Sequence, residues 1–187
     1  MLMTQNHEQE LLEKTVKRFV EEELYPHEEI VDKNGEVPIE LGRQIEKKSK
    51  ELGLFSANLP VEVGGGGLDY ESMLLIEREY GKTTHALHAW AARPTEILLA
   101  CEGDQIKNYL DPCVSGEKRE LFALTEPDAG SDTKNIKTKA ELKGDYYLVN
   151  GSKTFITNGV YGDLIILVVR TNQKGGSHGM SLLCVDL

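Results

Sequence analysis

The chain has 187 residues, with 21 Lys or Arg against 31 Asp or Glu, a formal net charge of −10. That acidic balance, with a pI near 5.0, excludes the basic face that a nucleic-acid partner requires. The composition is that of a soluble globular chain of one domain or two small ones; no apolar run approaches the roughly 20 residues that span a bilayer, and three scattered cysteines (Cys101, Cys113, Cys184) make neither a disulfide framework nor a zinc site.

The polar, acidic start (MLMTQNHEQE) is neither a signal peptide nor an Arg-rich transit peptide, which predicts a cytoplasmic protein. Leu11, Leu12, Val16, Phe19, Val20 and Leu24 then recur at helical spacing, with Glu13, Lys17, Arg18, Glu21 and Glu22 on the wet side. Pro38 suits a first helical position, and Ile39, Ile45, Leu52 and Leu54 continue a second amphipathic segment. Asp69 is the expected N-cap of a third helix carrying Met73, Leu74, Ile76 and Tyr80, with Gly81 as its stop. Leu87, Trp90, Ile97, Leu98 and Leu99 form a further apolar stretch interrupted by Pro94. Asp104 is expected to cap a short segment that ends before Asp111-Pro112.

Near residue 118 the period falls to two. Ile136, Thr138 and Ala140 alternate with Asn135, Lys137 and Lys139. Tyr146 to Val149 lead into Asn150-Gly151, a type I′ hairpin signal, and Leu164 to Val169 and Ser181 to Val185 read as buried strands. Helices followed by strands, without βα alternation, predict an α+β fold in two segregated parts.

Several features carry a chemical reading and a plain one. Gly64 to Gly67 lacks the Gly-Lys-Ser/Thr ending and the preceding strand of a phosphate-binding loop, and reads as a flexible loop between helices. His85 and His88, three apart, could face one metal but have no third ligand nearby in sequence, so no metal site is expected. Lys134, Lys137 and Lys139 fit phosphates or an exposed strand edge equally.

The informative stretch is Phe122-Ala-Leu-Thr-Glu-Pro-Asp-Ala-Gly-Ser-Asp132, a strand halted by Pro127 and turned by Ala129-Gly130-Ser131. Such a turn presents backbone N–H groups and a hydroxyl to an anion. About thirty residues on, Lys153-Thr-Phe-Ile-Thr-Asn-Gly159 again combines aromatic, hydroxyl and small residues at a strand end. Together the two ends could hold a flat polar ring, with Phe155 on one face and Thr125 and Thr157 on the edge.

Ala123 to Asp132 resembles the first signature of the acyl-CoA dehydrogenase family, and Asn150 to Asn158 resembles that family's second flavin-contacting strand. Weaker matches fall in order around them: Leu52-Gly-Leu-Phe55, the glycine loop after Leu59-Pro60, Glu77-Arg-Glu-Tyr-Gly81, and Gly103-Asp-Gln105 before Tyr109-Leu110. The resemblance implies an N-terminal all-α domain (1–118) followed by an incomplete antiparallel β-barrel domain (119–187) that faces FAD. Phe122, Leu124, Thr125, Gly130 and Ser131 would contact the cofactor from the first segment, and Phe155, Ile156 and Thr157 from the second. The backbone of Leu124 and Thr125, with the Thr125 hydroxyl, would bond the pyrimidine edge. Ser131 would reach the pyrophosphate and the substrate, and Thr157 would bond near N5. Tryptophan is usual in the family at the Phe155 position, so a smaller stacking area is expected here.

The implied reaction is α,β-dehydrogenation of an acyl-CoA to a trans-2-enoyl-CoA in fatty acid or amino acid catabolism. A carboxylate base takes the α-proton while the β-hydrogen passes as hydride to flavin N5, and an electron-transfer flavoprotein accepts the electrons. His85 and Ala89 correspond to a helix lining the acyl pocket; Trp90 beside them reads equally as pocket wall or plain core. The family's base is a glutamate of a C-terminal domain that these residues do not match, and Glu126 takes no such role. These 187 residues alone are therefore expected to be inactive, in a homo-oligomer or paired with a chain supplying that domain. The alternative is a non-catalytic truncated paralogue that binds flavin, acyl-CoA or a full-length subunit.

Overall fold

Helical structure begins where Asn6 closes a capping box: its side chain accepts from Gln9 N at 2.9 Å, and Gln9 Oε1 accepts from Asn6 N at 3.1 Å. The computed structural model describes residues 5–91, 94–172 and 176–187. The first four residues of the polar start lie outside them. The chain divides into two compact units, Met1–Leu99 and Ala100–Leu187.

In the first unit α1 (His7–Phe19) runs into one π-turn over Val20–Leu24, then α2 (Glu28–Asn34), α3 (Ile39–Glu51), α4 (Tyr70–Tyr80) and the short α5 (His85–His88) follow. Val16, Phe19, Val20 and Leu24 are buried as the stripe predicts, whereas Leu11 lies off the stripe and is exposed. α1 packs along α4, with the Phe19 and Tyr80 rings 6.3 Å apart and Arg78 paired with Glu13 at 2.5 Å. Asp69 caps α4 through Ser72 N at 2.8 Å. Glu28 of α2 accepts from Thr83 Oγ1 at 2.8 Å and Thr84 N at 3.2 Å, which satisfies donors at the start of α5.

Three expectations change here. α3 ends at Glu51, and Ile39 and Leu52 are exposed while Ile45 and Leu54 are buried. Gly81 stops α4 in right-handed geometry, without a left-handed cap. The run Gly64 to Gly67 is not a loose connection: Gly65, Gly66 and Gly67 N–H bond to the carbonyls of Pro60, Ser56 and Leu59 at 3.0, 3.0 and 2.8 Å. A Cβ on Gly65 would stand 2.2 Å from the Leu59 carbonyl oxygen, so the loop is glycine because two backbones meet there. Its donors are spent within the loop and do not form a phosphate cradle.

The second unit opens with a helical stretch that continues through Pro112, contrary to the expected stop. One π-turn over Ile106–Leu110, closed by Asp111 N–H to Ile106 O, leads into α6 (Asp111–Ser115). The wide turn opens the ladder just before a residue that has no N–H to give it.

The sheet comprises β1 (Glu120–Ala123), β2 (Lys139–Lys143), β3 (Tyr146–Asn150), β4 (Leu164–Arg170) and β5 (Met180–Asp186). β4 is its hub. β5 pairs with it antiparallel over its whole length, β1 pairs parallel from Glu120↔Leu164 to Ala123↔Leu167, and β2 joins it only at Lys139↔Arg170. The sheet is thus mixed and open. β2 and β3 form a hairpin with Lys143 opposite Tyr146, so its turn is Gly144-Asp145, with Gly144 at φ +68°. Asn150-Gly151, expected at a turn, instead ends β3. Ala129, Ile136 and Val168 form a core under β4, with Leu124 and Met180 against it.

In the first unit Trp90 resolves toward core. It is buried, and a Cβ on Gly42 of α3 would come within 2.2 Å of its ring. Gly42→Ala is expected to destabilise this unit by about 1–3 kcal/mol through overpacking. Because Trp90 is the chain's one tryptophan, its emission maximum reports the displacement, and an unchanged maximum with an unchanged Tm would contradict this packing.

Candidate functional site

The two motif segments follow the ends of β1 and β3 and meet through backbone and side-chain bonds. β1 is aligned on β4 at its start, where Arg119 N donates to Asp163 Oδ2 at 2.9 Å and Asp163 N to Arg119 O at 2.8 Å. Beyond Ala123 the Leu124 side chain packs against the core. Glu126 and Ala129 exchange two backbone bonds of 3.0 and 3.1 Å around Pro127-Asp128, making a tight turn. Asp132 then closes the 133–135 turn by accepting from Lys134 N at 3.1 Å and Asn135 Nδ2 at 2.9 Å.

The second segment docks on the first. Thr154 N donates to Thr125 O at 3.0 Å, and Lys153 Nζ donates to Leu124 O at 2.9 Å. The same ammonium pairs with Glu126 Oε1 at 2.9 Å, and both side chains are buried. Glu126 also accepts from Lys137 N at 2.6 Å and Thr138 N at 2.9 Å. Burial pushes the Glu126 carboxyl upward, but hydrogen bonds from Thr138, Lys137 and Lys153 outweigh it and hold the group at about 2.

These bonds hold Thr154, the residue before Phe155, against Thr125. Phe155 is 92% exposed and sits at φ +56°, a left-handed conformation that is unusual for a bulky residue. Phe122 at the end of β1 is also exposed, Thr157 is exposed, and Ile156 is half-buried with its carbonyl accepting from Gly159 N at 3.1 Å. Gly130 and Ser131 lie exposed on the far arm of the first turn, and nothing stands within 4 Å of where a Gly130 Cβ would be.

His85 and Ala89 belong to the first unit, in and just after α5. His85 Nδ1 lies 3.2 Å from His88 Nε2, and the His88 ring stacks on Tyr80 with centroids 5.7 Å apart. Among the described residues no three His, Cys, Asp or Glu side chains group as metal ligands. Lys137 pairs with Asp128 at 2.7 Å, which gives that lysine a partner within the protein. Burial pushes the Cys113 thiol up to about 12.

Family models for the acyl-CoA dehydrogenase N-terminal domain and middle domain match residues 6–117 and 121–187. The chain belongs to the acyl-CoA dehydrogenase family. It is 37% identical to a 3-(aryl)acrylate reductase of Clostridium sporogenes, over 100% of this chain and 49% of that protein. It is 34% identical to the caffeyl-CoA reductase-Etf complex subunit CarC of Acetobacterium woodii, over 97% of this chain and 48% of that one. An acyl-CoA dehydrogenase of Bacillus anthracis solved with FAD superposes with a TM-score of 0.81 at 30% identity, covering 97% of this chain and 31% of that one. The chain thus spans about half the length of the curated relatives it matches. No helix among the described residues is long and apolar enough to cross a membrane.

The sequence excludes Glu126 as the base and assigns no role to Lys153; the structure shows the two as a buried pair. A partial signal was available: Lys153 is the one charged residue of the second segment, and an acid in the first, among Glu126, Asp128 and Asp132, is its natural partner.

The carboxylate gives a pH test. Its folded value is depressed from the ordinary 4.5 to about 2, so its contribution to stability is full above about pH 4.5 and is lost as pH falls through about 2. Glu126→Gln is expected to be less stable than wild type at neutral pH, with the gap closing over that window. Denaturant midpoints from pH 6 down to pH 2 measure it; a gap independent of pH would contradict the assignment.

Proposed function

We propose that these residues are the N-terminal part of an FAD-dependent acyl-CoA dehydrogenase, with residues 1–118 as its helical domain and 119–187 as part of its flavin-facing β domain. The observation that carries the proposal is Phe155. Its left-handed backbone costs about 1–3 kcal/mol, and its ring is 92% exposed instead of buried. Both costs are offset if a flat ring system lies on that face, with Thr125 at its edge.

The surrounding groups suit FAD. The carbonyls of Leu124 and Thr125 already accept from Lys153 and Thr154, so the backbone contribution to the pyrimidine edge falls to N–H donors and the Thr125 hydroxyl. Donors there favour the electron-rich form of a bound flavin. Ile156 and Thr157 continue the same edge, Phe122 adds apolar area, and the open turn at Gly130 and Ser131 has room for a pyrophosphate. When bound, FAD supplies the two-electron acceptor for α,β-dehydrogenation of an acyl-CoA thioester.

Ser131, with His85 and Ala89 of the helical unit, is proposed to contact the acyl-CoA. The base is proposed, from the family resemblance, to lie outside these residues; Glu126 is a buried, fully engaged carboxylate that cannot approach a substrate proton. Electron-transfer flavoprotein is proposed as the electron acceptor; the name of the CarC relative, a subunit of a reductase-Etf complex, supports the partner. Cytoplasmic placement, and homo-oligomeric assembly or pairing with a chain that carries the C-terminal domain, complete the reading.

The test is FAD titration of the purified protein, followed by flavin absorbance. Thr125→Ala with Thr157→Ala is expected to weaken binding about tenfold, the effect of losing two neutral hydrogen bonds, and Phe155→Ala to weaken it further. Binding by both variants equal to wild type would place flavin elsewhere. The 187 residues alone should give no acyl-CoA oxidation in a dye-reduction assay, and turnover would show that the base lies within them.

A further inference from the structure

Three consecutive residues of the first segment, Leu124, Thr125 and Glu126, are each held by the second. Lys153 takes the Leu124 carbonyl and the Glu126 carboxylate, both at 2.9 Å, and Thr154 takes the Thr125 carbonyl at 3.0 Å. Glu126 in turn anchors the approach to β2 through the amides of Lys137 and Thr138. One carboxylate and one ammonium therefore converge on three separate stretches of chain.

Stability alone does not account for this arrangement. A buried ion pair contributes little more than a well-packed apolar pair of the same volume, because both charges are stripped of water. What an apolar pair lacks is direction. The fixed lengths of hydrogen bonds set the separation between the backbone at 124–125 and the aromatic at 155, and a site is only as accurate as the groups behind it.

We propose that Glu126 and Lys153 are a positioning pair that sets the spacing of the two flavin-facing segments. The proposal rests on the reading of this site as an FAD site. Neither side chain touches the cofactor in this scheme; both act through the residues they hold. Behind the ligands of metal sites, such partners matter about ten- to a hundredfold in affinity, and that scale sets the effect expected here.

The experiment compares FAD affinity, the visible absorption maximum and the midpoint potential of the bound flavin in wild type, Glu126→Gln and Lys153→Arg. Lys153→Arg keeps the charge but replaces a compact ammonium with a planar fork, so it moves the Leu124 carbonyl without removing the ion pair. The expected result is a loss of at least about tenfold in affinity for Glu126→Gln and a shifted absorption maximum and potential for Lys153→Arg, with helical circular dichroism unchanged. If Glu126→Gln does not fold, Lys153→Arg decides by the same readings. A Lys153→Arg protein that binds FAD within about twofold of wild type, with the same maximum and potential, overturns the pair's positioning role and leaves the FAD reading intact. Wild type that takes up no FAD, even in the presence of the C-terminal domain, overturns the FAD reading and this role with it.

Discussion

A carboxylate removed from water must be surrounded by donors, and Glu126 is surrounded by three, two adjacent amides before β2 and one ammonium after β3. Satisfying it forces the turn after β1, the approach to β2 and the loop after β3 into one arrangement. The outward face of the second unit follows from that inward demand: Leu124 points its side chain into the core, Thr125 gives its carbonyl to Thr154, and Phe155 is left standing in solvent. Charge placed inside thus determines where an aromatic ring stands outside.

The first unit shows the same logic with apolar groups. Trp90 lies on Gly42 because only a residue without a side chain lets the indole reach the α3 backbone. Gly65 lets one stretch of backbone lie against another. In both places the small residue is selected by what approaches it, and the glycine run, which suggests looseness in sequence, is among the more heavily bonded loops of the unit.

Local signals were legible where the physics is local. The cap at Asp69, the alternation of Ile136, Thr138 and Ala140, and the strands read at 164–169 and 181–185 depend on neighbours a few residues away. Elsewhere a competing context decided the outcome. Gly144-Asp145 took the hairpin turn because the register pairs Lys143 with Tyr146, which puts Asn150 at the far end of β3, opposite Lys139. Pro112 did not stop its helix because a π-turn had already opened the ladder. At the candidate site the motif residues could be found in sequence, but the bonds that join them could not, since Glu126 meets Lys153 only once β1 and β3 are both in place.

The parallel pairing of β1 with β4 carries a consequence for how the chain folds. β5 follows β4 closely in sequence, and the β2–β3 ladder closes through a two-residue turn, so both pairings form with little loop-closure cost. β1 has no such local partner: Glu120 must wait for Leu164, with a whole hairpin made in between. Contacts of long sequence separation are the slow ones. During synthesis the segment with the most chemistry leaves the ribosome before the strand that will align it, and stays unaligned until β4 has followed. The part of the protein that must be most accurately built is therefore among the last to be set.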